Sequence, residues 1–389
     1  MKAYKLRLYP NKEQVERLEF TLEICRQTYN MLLEELNNQV EIDKSQIQGI
    51  IPDLKICEPK LKEVYSKTLQ YECYRLFSNL QALRMLKQNK RKVGRLRFKG
   101  KGWFKTINYN QSGFKLIKTN KRYNLLHLSK IGDIRILQHR EVEGEIKQIT
   151  IKKLVNKWYV TLITDAIIKT ECVGKILGID LGVNNFIVDS DDNKIEHPKT
   201  LEKYQSKLKI VQQDLSRKKK GSNNRLKARL RVANIYNKIN NCRNDFLHKI
   251  STRYIRDCKI ICIEKLNINQ MMQQQYYNAR NIADSSWGRF LQFLTYKAES
   301  AGCKIVKVNP RNTTKTCSKC GGIQIMPLYK REYICKSCGI TINRDYNSAK
   351  NILRLGMSLC GDETSTLQEQ VLSEKQEAIP STSEVLGYE

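Results

Sequence analysis

Histidine is scarce in this chain. Four occur in 389 residues, His127, His139, His197 and His248, far apart and without the spacing of metal ligands. No catalytic role falls to any of them. Long apolar runs are missing as well: no stretch approaches the roughly 18 to 20 residues that a membrane-spanning helix needs. The opening MKAYKLRLYP lacks the apolar segment of a signal peptide. The expectation is a cytoplasmic, nucleoid-associated protein with no membrane partner and no small-molecule ligand. No internal repeat is present, so a solenoid is not expected. Negative charge is also short, with 39 Asp and Glu against 70 Lys and Arg, a formal charge of +31. A soluble enzyme has no structural need for such self-repulsion, whereas a polyanionic partner that releases counterions on binding gives a direct reason for it. Residues 361–389 hold seven acids and one lysine. The preceding part is therefore more basic still, at about +37.

The length suits two or three domains, and a hydrophobic content of 40% suffices for buried cores. Residues 2–9 alternate as a half-buried strand, with Tyr4, Leu6 and Leu8 on one face. After Pro10, Asn11 and Gln14 have the spacing of a capping box, opening a helix through Val15, Leu18, Leu22, Cys25, Tyr29 and Leu32. Helical patterning continues to about Lys90 with breaks near Pro52 and Pro59, defining a helical domain at 11–90. From Val93 the period becomes two, and Gln148–Val155 and Trp158–Thr164 read as a hairpin turning at Asn156-Lys157. A small antiparallel barrel over 91–170 is expected, joined by residues 1–10, so that the helical domain is an insertion. Further on, Ile176–Val183, Lys259–Glu264 and Lys304–Val308 read as strands. Residues 199–257 read as a helical pair joined near Gly221-Ser222, and Trp287–Ser300 and Asn347–Leu355 as helices. The Ser/Thr-rich acidic tail at 361–389 has the composition of a disordered segment.

Thirteen cysteines are present, nine of them scattered in the manner of small buried hydrophobes. The other four form two pairs, Cys317-Ser318-Lys319-Cys320 and Cys335-Lys336-Ser337-Cys338, separated by 14 residues. Each pair precedes a glycine, Gly321 or Gly339, which suits a turn that aims two sulfurs at one metal. Four thiolates at this spacing predict a structural Zn²⁺ site in a ribbon at 313–341. Four unligated thiols in a reducing cell and an iron–sulfur centre are the rival readings.

Asp180 lies in the apolar strand Ile176–Gly182, Glu264 ends the apolar strand Ile260–Glu264, and Asp345 precedes the helix carrying Ala349 and Ile352. Taken alone, a strand-end acid is more often a cap or an ion-pair partner. Together they match the donor set of two Mg²⁺ or Mn²⁺ ions, one activating water and one stabilising a leaving 3′-oxygen.

At these residues the chain resembles the TnpB family, RNA-guided nucleases encoded by bacterial insertion sequences and relatives of compact type V CRISPR effectors. The likeness extends over most of residues 1–360. It is carried by Lys2–Pro10, Gly178–Gly182, Ile261–Leu266, Ser286-Trp287-Gly288 with Tyr296-Lys297-Ala298, Thr316–Gly321 and Asn343–Asn347. The resemblance implies an RNase H-like (RuvC-type) nuclease domain over 171–312 and 342–360, interrupted by the zinc ribbon. The barrel becomes a wedge domain and 11–90 a recognition lobe. Together the two would hold a guide RNA paired with target DNA, while the nuclease cuts through Asp180, Glu264 and Asp345. Two departures from the family pattern, Ser348 in place of alanine and Thr313-Thr314 in place of a serine-rich pair, are expected not to touch the acids.

Basic residues cluster twice, at Arg217–Arg231 and at Lys90–Lys105, the latter interleaved with Phe98, Trp103 and Phe104. Candidate nucleic-acid contacts are Lys99, Lys101, Arg217, Lys218, Lys219, Lys220, Arg225, Arg229 and Arg344. A charge run also serves as a solvated face, and Phe98 and Trp103 equally suit a barrel interior. Rival functions are a nuclease-silent RNA-guided repressor, a compact type V CRISPR effector and a protein-only resolvase.

Overall fold

The computed structural model describes residues 2–39, 43–119, 122–166, 174–274, 278–327 and 329–360. The expected tail at 361–389 lies outside them. The chain forms two compact units, residues 1–167 and 168–389.

In the first unit, β1 (Lys2–Tyr9) buries Tyr4, Leu6 and Leu8, as its alternation predicts. The Asn11–Gln14 capping box opens α1 (Lys12–Asn38), whose buried stripe includes Leu18, Leu22, Cys25, Tyr29 and Leu32. Then come α2 (Lys44–Gly49) and α3 (Ile51–Cys57), the latter with Pro52 in its first turn. A 3-10 turn opened by Pro59 leads to α4 (Ser66–Gln88). Proline is tolerated in these first turns because the amide it lacks would have no helical partner there. The strands β2 (Thr106–Asn110), β3 (Phe114–Ile117), β4 (Asn124–Leu128), β5 (Gly132–Leu137), β6 (Ile146–Leu154) and β7 (Lys157–Thr164) complete a seven-stranded antiparallel sheet in the order β2-β6-β7-β1-β5-β4-β3. Because β1 lies between β5 and β7, the helices lie in sequence between two parts of one sheet. No pairing joins the edge strands β2 and β3 among the described residues.

The β6–β7 turn differs from expectation. Leu154 pairs with Lys157, so the turn residues are Val155 and Asn156, with Val155 at φ 56°. Burial of Ile149 and Ile151 opposite Leu162 and Val160 fixes the register. That places a β-branched residue in a region it disfavours.

In the second unit, β8 (Lys175–Leu181), β9 (Asn185–Asp189), β10 (Lys194–Glu196), β11 (Cys258–Glu264) and β12 (Lys304–Val308) form a sheet in the order β10-β9-β8-β11-β12. The neighbours β8, β11 and β12 run parallel, while β9 pairs antiparallel with both β8 and β10. Between β10 and β11 lie α5 (Thr200–Arg217) and α6 (Asn223–Asp257), with Ser222 capping α6. Two short helices absent from the sequence reading, α7 (Ile268–Gln274) and α8 (Ala279–Ser285), precede α9 (Trp287–Ala301). The hairpin β13 (Glu332–Ile334) and β14 (Thr341–Asn343) feeds directly into α10 (Arg344–Leu359), which is longer at both ends than its periodicity suggests. One sheet face packs Leu177, Ile179, Ile261 and Ile263 against Leu247, Tyr254, Phe290 and Leu294. The other packs Ile260, Cys262, Val306 and Val308 against Ile352 of α10.

Candidate active site

The position of two acids follows from strand register. In the parallel pair β8–β11, Ile179 lies opposite Ile263. The next residues, Asp180 and Glu264, therefore leave the same sheet face from adjacent strands, which are about 4.8 Å apart. Gly178 and Cys262 lie two residues earlier on that face, and α10 covers them. A Cβ built on Gly178 would overlap the Ala349 carbonyl and lie 2.6 Å from the Leu353 nitrogen; one on Gly356 would lie 2.6 Å from Cys262 Cβ. Two glycines thus let α10 lie close on the sheet, with its first turn at the strand ends. Asn343 caps that turn by accepting from the amides of Asp345 and Tyr346, and Asp345 is the third acid.

The electrostatics agree with this convergence. Burial, and then the charges of Glu264 and Asp345, hold the Asp180 carboxyl well above the ordinary carboxylate range, opposed by Arg344. Burial also raises Glu264, opposed by a hydrogen bond from Thr313 Oγ1 to its Oε1 at 2.6 Å. Asp345 is bracketed by arginines, with Arg344 Nη2 3.1 Å from Oδ1 and Arg331 Nη1 3.4 Å from Oδ2. Glu264 and Asp345 disfavour the ionised form of Asp180, a repulsion that a hard divalent cation held among them would relieve.

The expectation that Thr313 does not touch the acids is overturned: Thr313 donates to Glu264. Ser348, fully buried one turn after Asp345, makes no hydrogen bond through its hydroxyl among the described residues. The Thr313 contact depends on the seating of the segment before Cys317 against β11, which no local pattern encodes.

The four cysteines come together as the spacing predicts. Their sulfurs all lie within 4.8 Å of one another, the only such group of potential metal-ligating atoms among the described residues. Cys317 Sγ is 3.7 Å from Cys338 Sγ, and Cys320 Sγ is 3.6 Å from Cys335 Sγ. A tetrahedral site with Zn–S bonds of about 2.3 Å has edges of about 3.8 Å, so this set fits Zn²⁺. Gly321 and Gly339, at φ 78° and 70°, turn the two knuckles. Backbone amides of Cys338 and Ser337 lower the Cys335 thiol to about 6. At Cys338 the Ile340 amide likewise lowers the thiol, but burial and the three neighbouring sulfurs outweigh it and raise the thiol to about 11. Buried asparagines of α10 clamp the first knuckle: Asn347 accepts from the Ser318 amide and donates to the Thr316 carbonyl, and Asn351 donates to the carbonyls of Thr313 and Thr316.

The basic candidates divide. Lys101, Arg217, Lys219, Lys220 and Arg229 are exposed. Lys218 pairs with Asp214 at 3.0 Å. Arg225 closes the α5–α6 turn by donating to the carbonyls of Leu215 and Lys218. Arg344, 8% exposed, faces Asp345 and the Lys330 carbonyl. Lys99 is half-buried against α1.

No helix among the described residues is long and apolar enough to cross a membrane. Family models match residues 159–275 ("Probable transposase"), 1–44 ("Helix-turn-helix domain") and 287–352 ("Cas12f1-like, TNB domain"). A putative RNA-guided DNA endonuclease of Streptomyces pristinaespiralis is 32% identical over 377 residues, covering 93% of this chain and 91% of that protein. The putative RNA-guided DNA endonuclease InsQ of Escherichia coli K12 is 28% identical over 390 residues, covering 93% and 94%. Among solved structures, a Cas12f1–sgRNA–target DNA complex matches with a TM-score of 0.60 at 17% identity, over 89% of this chain and 83% of that one. That likeness is one of fold.

Proposed function

The chain belongs to the TnpB family, and from that membership we infer that it is an RNA-guided, divalent-metal-dependent DNA endonuclease of a transposable element, in which Asp180, Glu264 and Asp345 hold the catalytic ions. Its partners are a guide RNA and a target DNA. The observation that carries the site assignment is the register Ile179–Ile263, which sets two acids side by side on the face that α10 closes with the third. The strand order of the second sheet, with three parallel strands and the acids at their carboxyl ends, supports the RNase H-like (RuvC-type) reading. The antiparallel sheet at 1–10 and 91–170 and the inserted helices at 11–90 suit the wedge and recognition roles. The four-cysteine module at 313–341 suits a structural zinc ribbon.

Two Mg²⁺ or Mn²⁺ ions, when bound, supply an activated water and stabilisation of the leaving oxygen. The chain's own residues do the positioning. Thr313 fixes the Glu264 carboxylate, and the Asn343 cap and the Arg331–Arg344 pair fix Asp345. Exposed bases of the α5–α6 turn neutralise phosphates, while base pairing with the guide reads sequence.

Asp180→Ala, Glu264→Ala and Asp345→Ala are each expected to abolish Mg²⁺-dependent cleavage of a matched plasmid. Guide-directed binding, measured at one stated salt concentration, is expected to persist. Undiminished cleavage by any one variant removes that residue from the site.

A further inference from the structure

Phe98 and Trp103 are the two most exposed aromatic rings of the first unit among the described residues, at 56% and 66%, whereas their neighbour Phe104 is 6% exposed. Phe104 packs edge-on against Tyr29, with Arg75 over its ring, so the interior takes one of the three aromatics and leaves two outside. The segment that displays them is pinned. The Lys99 amide donates to Asn30 Oδ1 at 2.8 Å, and the Lys99 carbonyl accepts from Asn30 Nδ2 at 3.1 Å and from Arg26 Nη1 at 2.8 Å. Glu23 holds Arg26 in turn. Gly100–Trp103 is then a tight turn, closed by the Trp103 amide on the Gly100 carbonyl, with Gly102 at φ 73° supplying the left-handed residue that such a turn requires. Lys99 Nζ lies 5.3 Å from the centre of the Trp103 ring, and Arg95, Arg97, Lys101 and Lys105 flank the same segment.

Large rings facing water on a pinned backbone, among cations, have the composition of a surface for single-stranded nucleic acid: charge holds the phosphates and each ring offers a face to a base. Pinning lowers the ordering cost of binding. We propose that Phe98 and Trp103 are a stacking platform for unpaired nucleotides of the nucleic acid this protein binds. The proposal rests on the RNA-guided reading and adds contact with bases to a surface where charge alone would grip only backbone.

Tryptophan fluorescence tests it directly, because Trp158 and Trp287 are 3% and 2% exposed and acrylamide therefore quenches chiefly Trp103. The samples are full-length protein freed of RNA, its guide complex, and that complex with target DNA. Affinities of the RNA-free protein for oligo(U), oligo(dT) and a duplex of about 12 nucleotides accompany them, for wild type, Trp103→Phe, Trp103→Ala and Phe98→Ala. Trp103→Ala is expected to weaken single-strand binding about tenfold and duplex binding far less, with Trp103→Phe retaining most of the affinity. Shielding of Trp103 by guide alone identifies RNA as the stacked strand; shielding only after target addition identifies DNA. Unchanged quenching in all three samples, or equal losses on single strand and duplex, overturns the proposal. Cleavage that still depends on Asp180, Glu264 and Asp345 would leave the nuclease reading standing in that case.

Discussion

Thr313 shows how much of this site depends on single atoms outside the acids. Its hydroxyl lies 2.6 Å from Glu264 Oε1 in a buried setting, and its carbonyl accepts from Asn351 of α10. A hydrogen bond to a carboxylate in such a place contributes about 1.5–3 kcal/mol, so Thr313→Val, which keeps the shape and removes the donor, leaves Glu264 underheld. Cleavage at limiting Mg²⁺ is expected to fall roughly tenfold or more, with the deficit shrinking as Mg²⁺ is raised, while Thr313→Ser stays near wild type. Rates measured across a Mg²⁺ series check this. A valine variant whose Mg²⁺ dependence matches wild type would reduce Thr313 to a packing residue. The same scale shows what residue identity discloses. The cysteine pairs were readable because thiolate ligation requires short fixed spacing, and the four sulfurs do converge. Thr313 was not, since a hydroxyl has many partners and only tertiary contact selects one.

The second scale is that of the elements, where α10 and β8 set the decisive contact. Gly178 has no room for a side chain, with the Ala349 carbonyl and the Leu353 amide over it. Gly178→Ala must lift α10 from the sheet, and overpacking of this kind costs about 1–3 kcal/mol. Since Asp345 rides on the first turn of that helix, the variant is expected to lose most cleavage as well as melting earlier. A thermal melt beside a plasmid assay tests both, and unchanged cleavage would refute the claim that α10 seating positions Asp345. Element existence was largely legible: β12 falls at Lys304–Val308 as its pattern predicts, and the α5–α6 pair turns near Gly221-Ser222. Three things were not. The short α7 and α8 lack a sustained apolar period. The start of α10 is set by the Asn343 cap and not by an apolar residue. The β6–β7 turn follows buried pairing across the sheet, which keeps Asn156 in the turn but replaces Lys157 by Val155. The register that aligns Asp180 with Glu264 likewise joins segments some eighty residues apart, and local sequence does not specify it.

At the scale of the molecule, each unit has its own core, and within the second unit the four-cysteine module is the part least able to fold unaided. Its apolar interior is Cys317, Tyr333 and Cys335 with partly buried Met326, Cys338, Ile340 and Ile342, and its sheet has two strands of three residues each. A core of that size does not outweigh chain entropy without a cross-link or a metal. Yet it borders the acids on two sides, through Thr313 on Glu264 and through Arg331 on Asp345, and Asn347 and Asn351 tie it to α10. About one tightly held Zn²⁺ per chain is therefore expected, and Cys317→Ser with Cys335→Ser should lose both the zinc and cleavage. Hydrogen exchange should then rise in β13, β14 and the first turn of α10, while β1 to β7 of the other unit keep their protection. Elemental analysis and exchange on the same preparations decide the matter. Protein without zinc that cleaves normally would overturn the metal assignment. Exchange that rises equally in both units would overturn the confinement of the effect, because the zinc would then be supporting the whole chain rather than holding two acids in place.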